Sequence, residues 1–255
     1  MTKKQKVIAL IAFVLIIVLI ALICVSLQNK RDSGTTDDTR TSAAPSESLE
    51  PTPEPTPTPL QFTTAPEGYF NDALFIGDSR MVGIQMMETI DGATFFTTVG
   101  LSLTGAMSTS ADVSGVGTTT LPALLQSRPF GKVYVMLGIN ELGWYNLDKF
   151  IEYYGNIVDL LRETHPEAQI YIISILPVGA KATASQEMLN NDRVQMFNER
   201  IQGMCSEKQV YFVNGFEALA VNGSLPDDAS PDGVHMQPSY CHKLTDYLLT
   251  HTVSA

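Results

Sequence analysis

Apolar and polar positions divide the chain into three stretches. Val7 to Leu27 (VIALIAFVLIIVLIALICVSL) contains no charged residue. As a helix rising about 1.5 Å per residue, this run reaches roughly 30 Å, the thickness of a bilayer's hydrocarbon core. From Gln28 to about Gly68 the composition turns to Thr, Ser, Pro, Asp and Glu, with PTPEPTPTP at Pro51 to Pro59. A stretch of this kind cannot bury apolar surface and is predicted to be a disordered linker of polyproline II character. From Tyr69 the pattern changes again, to short apolar runs alternating with amphipathic ones, so residues 69–255 are assigned to one globular domain.

Within that domain four runs read as strands: Leu74 to Ile76, Val133 to Leu137, Ile170 to Ile175 and Val210 to Val213, with a weaker fifth at Thr94 to Val99. They are short, partly continuous and rich in β-branched or aromatic residues, as strands buried on both faces are. Asn146 is a suitable cap for a helix whose stripe is Leu147, Phe150, Ile151, Tyr154, Ile157, Val158 and Leu161, ending before Pro166. A second helix carries Val194, Phe197, Ile201 and Met204, and a last one follows Pro238 with Cys241, Leu244 and Leu248. Strand–helix alternation with right-handed crossovers predicts an α/β fold, a three-layer α/β/α sandwich around a parallel sheet. Ligands in such folds bind outside the carboxyl ends of the strands.

Charge orients the apolar segment. Lys3, Lys4 and Lys6 precede it, while Lys30 and Arg31 on the far side are soon followed by Asp32, Asp37 and Asp38. This places residues 1–6 in the cytoplasm and the domain outside the cell. A cleaved signal has an apolar core of about 7–15 residues and a small-residue cleavage site. The run at 7–27 is longer and lacks such a site, so it reads as an uncleaved transmembrane anchor. At about 3.1 Å per residue the linker holds the domain up to roughly 100 Å from the membrane, a reach that suits work on wall polymers.

A formal net charge of −11 argues against a nucleic-acid partner, which needs clustered Lys and Arg. There is no C-x-x-C and no H-E-x-x-H, so no metal site of recognisable spacing and no cofactor is expected. Cys205 and Cys241 fall on apolar helix faces, where packing explains them; an extracellular setting also leaves a bridge between them open.

Chemistry collects at the strand ends. The first strand runs into Gly77-Asp78-Ser79-Arg80, which sets Ser79 at a helix N-terminus, where free N–H groups favour negative charge; a Ser there also serves as an ordinary N-cap. Arg80 reads as a solvated side chain rather than a substrate anchor. The weak strand ends at Val99-Gly100-Leu101-Ser102, where a glycine admits close approach to a substrate oxygen. The next ends at Gly138-Ile139-Asn140-Glu141, whose Asn140 is either an amide donor to an oxyanion or a turn residue. Before the last helix stands Asp232-Gly233-Val234-His235. Here an imidazole has a carboxylate three residues away that can hold its other nitrogen, and an incidental surface loop is the alternative.

Taken in order, GDS, the post-strand Gly, GxN and DGxH resemble the SGNH/GDSL hydrolase family, from Leu74 to the C-terminal helix. The resemblance implies a flavodoxin-like sheet and ester hydrolysis through an acyl-serine. It further implies a triad of Ser79, Asp232 and His235, with an oxyanion hole of Ser79, Gly100 and Asn140. Glu141 departs from the Asp usual after the Asn. Gly105, or an N–H near Ser102, is an alternative to Gly100. No G-x-S-x-G elbow of the α/β-hydrolases is present. The expected substrate is an O-acetyl ester on cell-envelope polysaccharide such as peptidoglycan, reached from the membrane. An O-acyltransferase on wall polysaccharide and a non-catalytic wall-binding module of the same fold are the rival readings. Trp144 and Tyr145 offer a surface for a sugar ring or pack a loop, and Leu103 to Thr120 forms either a mobile cleft wall or a fixed loop.

Overall fold

The computed structural model describes residues 62–87 and 89–253. The apolar run at 7–27 and the Pro/Thr/Ser-rich stretch as far as residue 61 lie outside the described residues. Among the described residues no helix is long and apolar enough to cross a membrane.

The elements in chain order begin with β1 (Ala73–Gly77), α1 (Ser79–Met86), β2 (Thr94–Thr97), β3 (Ser110–Val113), β4 (Gly117–Thr120) and α2 (Leu121–Ser127). They continue with β5 (Lys132–Met136), α3 (Leu147–Thr164), β6 (Gln169–Ile173), α4 (Ala180–Ser185), α5 (Asn191–Glu207), β7 (Tyr211–Val213), α6 (Gly215–Leu219) and α7 (Pro238–Thr250). Five strands make one sheet in the order β2-β1-β5-β6-β7, and every neighbouring pair is parallel.

Because successive side chains of a strand point to opposite faces, the apolar runs feed two cores. Leu74, Ile76, Val133, Val135, Ile170 and Ile172 face one side, with buried residues of α2, α3 and α5. Phe75, Tyr134, Met136, Tyr171 and Ile173 face the other, with α1, α6 and α7. The result is a sheet between two helical layers. Cys205 belongs to the first core and Cys241 to the second, so the sheet separates them and both are free buried thiols.

One face of the sheet is held by an aromatic ladder. Phe95, Phe75, Tyr134, Tyr171 and Tyr211 occupy one register row across all five strands. Their ring centroids follow at 5.3, 4.7, 4.5 and 5.2 Å. Neighbouring strands lie about 4.7–4.9 Å apart, so in-register aromatics stack without distortion.

Local signals set the helices. Asn146 Oδ1 accepts the Lys149 N–H at 2.9 Å and starts α3, whose Phe150, Tyr154, Ile157, Val158 and Leu161 are all buried. Asn190 does the same for α5 through Arg193 N–H, also at 2.9 Å. The Leu103–Thr120 segment contains more order than its Ser/Thr/Gly composition predicts. Strands β3 and β4 pair antiparallel, with Ala111 and Val113 buried on one face and Ser110 and Asp112 exposed on the other. Residues before Tyr69 join the C-terminus: Thr63 N–H donates to Thr252 O at 2.7 Å.

Strand order reverses beside β1, since β1 is followed by β2 on one side and β5 on the other. A crevice opens at such a point, outside the carboxyl ends of the strands. Ser79 follows β1, and Asn140 follows β5.

Candidate active site

Strand β1 is buried along its length and delivers Ser79 to the first position of α1. Gly77 is required at the turn. A Cβ there would stand 2.4 Å from the Met81 Cβ and 3.0 Å from the Met136 carbonyl oxygen. Asp78 caps the helix, its Oδ1 accepting the Arg80 N–H at 3.0 Å. The Ser79 N–H, at the head of the helix, has no intrahelical acceptor.

The loop before α7 brings the second half. His235 Nε2 lies 3.0 Å from Ser79 Oγ, although 156 residues separate them. His235 Nδ1 lies 2.6 Å from Asp232 Oδ2. An ionised carboxylate only accepts, so Nδ1 carries the ring proton and Nε2 is left to accept the Ser79 hydroxyl. Asp232 Oδ1 accepts the Val234 and His235 N–H groups, both at 2.8 Å, and the Ser230 hydroxyl at 3.0 Å. Partial burial works to raise the Asp232 carboxyl. The hydrogen bonds from His235, Val234 and Ser230 outweigh it and hold the group well below the usual carboxylate range. Hydroxyl, imidazole and carboxylate therefore stand in one line.

The spacing of D-G-x-H now has a local explanation. One carboxylate oxygen closes an Asx-type turn over the backbone while the other meets the ring three residues on. Gly233 makes the turn possible at φ +83°, and a Cβ there would lie 2.6 Å from the Ala182 nitrogen. Ser230, not singled out in the sequence, belongs to the same network.

Asn140 sits on a short 3₁₀ turn (Ile139–Glu141) entered through Gly138 at φ +119°. Its Nδ2 donates to Leu101 O at 2.9 Å, which spends one amide proton and leaves the second without an acceptor among the described residues. Gly100 occupies the third position of a turn closed by Leu101 N–H to Thr98 O at 3.2 Å, with φ +75°. Leu103 gives its N–H to Glu141 Oε1 at 2.8 Å, and Gly105 gives its own to Ser102. The Gly105 N–H is therefore committed within the loop. That of Gly100 meets no acceptor among the described residues.

A cleft of about 650 Å³ opens beside Ser79 and His235. It is walled by Ile139 to Asn140, Leu142 to Gly143, Gln186 to Leu189 and Val234. None of its lining comes from Leu103–Thr120, and it stops at Gly143, short of Trp144 and Tyr145. Trp144 packs edge-on to Tyr153 at 5.9 Å, whereas Tyr145 is 84% exposed.

Arg80 departs from its expected solvation. It is 3% exposed, and its guanidinium donates to Leu176 O at 2.8 Å and Pro177 O at 3.1 Å. A charged residue next to a half-buried serine gives no local sign of this, because both acceptors lie nearly a hundred positions away.

Two carboxyl groups lie beneath the site. Burial pushes Asp78 up to about 6, against the Arg80 N–H bond and the charges of Arg80 and His235. Burial pushes Glu141 up to about 7; the Leu103 N–H opposes the rise and Asp78 adds to it. Glu141 ionises from 4.5 in its ordinary range, so above that pH the unfolded chain releases the proton first. Its contribution to stability is complete below 4.5 and is lost as pH rises through about 7. Glu141→Gln keeps an oxygen for Leu103 and removes the charge. Urea denaturation of the two proteins at pH 5 and pH 8 is expected to show the variant's curve flatter by up to about 3 kcal/mol.

A family model described as the GDSL-like lipase/acylhydrolase family matches residues 75–239, well over half of the chain. The chain belongs to that family. The span of this GDSL-like domain takes in every residue of the site, from Ser79 to His235. No curated protein matches the chain in sequence. Among solved structures it is similar to a protein of Streptococcus pneumonia proposed to be a platelet activating factor. That likeness has 22% identity and a TM-score of 0.56 over 69% of this chain and 81% of the other. It is also similar to a GDSL-like lipase of Bacteroides thetaiotaomicron, at 17% identity and a TM-score of 0.54 over 72% and 88% of the two chains. At these identities the likeness concerns the fold, which is the α/β fold with a parallel central sheet described above.

Proposed function

We propose that this GDSL-like acylhydrolase is a serine esterase in which Ser79 is the nucleophile. The observation that carries the reading is the line from Ser79 Oγ through the His235 ring to Asp232, with contacts of 3.0 and 2.6 Å. His235 Nε2 takes the hydroxyl proton as Oγ attacks the ester carbonyl. The Ser79 and Gly100 N–H groups and the free Asn140 amide proton hold the oxyanion. The ester C–O bond breaks, His235 returns the proton to the departing alcohol, and an acyl-serine remains. Water, deprotonated by the same imidazole, then releases the acid and restores Ser79. Asp232 keeps the ring in the Nδ1–H tautomer and offsets its positive charge when the proton arrives.

The proposed substrate is a neutral O-acetyl ester on cell-envelope carbohydrate. Among the described residues, no Lys or Arg lines the cleft, so a phosphate-bearing ester finds no cation there. The uncharged run at Val7 to Leu27 and the Pro-rich linker support an enzyme anchored in the membrane and working outside it.

Acetate release from O-acetylated wall polymer, set beside hydrolysis of long-chain acyl esters and phospholipids, tests this. Release of acetate at the highest kcat/KM of the panel is expected. A preference for phospholipid would remove the carbohydrate assignment, and acetyl transfer to added oligosaccharide in place of release would make the protein a transferase.

A further inference from the structure

The geometry points to Arg80 as the positioning residue that seats the His235 loop against Ser79, a role that rests on the esterase reading above. Arg80 is an expensive way to fill space. A guanidinium removed from water loses several kcal/mol of hydration, and an apolar side chain of similar volume fills such a site at lower cost. Its side chain makes no hydrogen bond to a carboxylate among the described residues; its partners are two consecutive backbone carbonyls, Leu176 O and Pro177 O. Its Nε is buried without an acceptor among the described residues. The fixed fork of the guanidinium suits two neighbouring oxygens, which a single ammonium cannot hold together.

Those carbonyls begin the segment that holds the histidine loop. Two residues after Pro177, Gly179 N–H donates to Gly233 O at 2.8 Å. A Cβ on Gly179 would stand 3.2 Å from the Gly233 Cα, so the two backbones pack closely and a side chain there would fit only tightly. Lys181 Nζ reaches Pro231 O at 3.3 Å. On its other side the loop is open, with the His235 and Asp232 side chains 52% and 51% exposed. The backbone of Arg80 is in turn fixed by the Asp78 cap, one residue from the nucleophile. An unbroken series of contacts thus leads from the α1 N-terminus through the guanidinium to residues 176–179, across to Gly233, and on to His235. Through it the helix that presents the hydroxyl also sets the distance of the base from it.

The full-length protein is compared with its Arg80→Met and Arg80→Lys variants on p-nitrophenyl acetate, with Ser79→Ala as reference. Misplacing a reacting group by about 1 Å costs on the order of 100-fold. Arg80→Met is therefore expected to lower kcat about 100-fold with KM held within about threefold, because the cleft walls are untouched. Arg80→Lys, reaching one carbonyl at a time, is expected to recover about tenfold of that loss. Proton NMR supplies a second readout. The far-downfield resonance of the His235 Nδ1–H should be sharp in wild type and in Ser79→Ala, and broadened in Arg80→Met.

Wild-type kcat and an unchanged resonance in Arg80→Met would overturn the proposal. If that variant does not fold, Arg80→Lys decides: lowered kcat at constant KM supports the role, and wild-type kcat with only a lower Tm overturns it. Should wild type hydrolyse no ester, the esterase reading fails separately. The resonance still tests the positioning, because it needs no turnover.

Discussion

Ser79→Ala is expected to lower kcat/KM on a simple acetyl ester by about 10⁴- to 10⁶-fold while the protein folds as before. The size follows from the site. The Ser79 hydroxyl is the atom that meets His235 Nε2, and its removal leaves the imidazole with no proton to take and the carbonyl with no nucleophile. The activity that remains is what binding and the oxyanion donors give to water. The fold should be indifferent, because among the described residues the Ser79 hydroxyl bonds to His235 alone, and the helix is capped by Asp78. Intact mass after fluorophosphonate treatment provides the direct check: one adduct on wild type, none on the variant. A Ser79→Ala protein within about tenfold of wild type would mean that another group performs the attack.

Asp232→Asn is the more discriminating substitution and is expected to cost about 10⁴-fold in kcat. An asparagine can keep its oxygen toward the Val234 and His235 N–H groups and the Ser230 hydroxyl, so the turn survives. Its NH2 then faces His235 Nδ1 and donates where the carboxylate accepted. The ring proton moves to Nε2, the nitrogen that has to receive the Ser79 proton. KM should change little, since Asp232 lies outside the cleft lining. Stopped-flow kcat and KM, with circular dichroism to confirm the fold, check the split. A large loss in KM at preserved kcat would reassign Asp232 to substrate binding.

The three central strands, β1, β5 and β6, were legible because their burial is almost complete. Runs such as Val133 to Met136 have no polar face to protect, so continuity alone marks them. Helix α3 was legible for the opposite reason, since a helix with one wet face shows its stripe and its cap. The β3–β4 hairpin was not, because its residues are small and hydroxylic and half of each strand faces solvent. The Asx turn at Asp232 is present in the sequence for a reader who counts a carboxylate's acceptors as well as its charge.

Which residues can carry acyl chemistry, in what order, and at which strand ends they fall is thus determined by the chain itself: periodicity, caps and D-G-x-H are local matters, decided within a few residues. The tertiary structure alone decided that the Ser79 hydroxyl meets an imidazole 156 positions away. It also decided that Cys205 and Cys241 lie on opposite faces of the sheet and that the Arg80 charge points inward onto two carbonyls. Contacts of that separation depend on the order of strands in the sheet and on how loops cross above it. No short window of sequence contains that information.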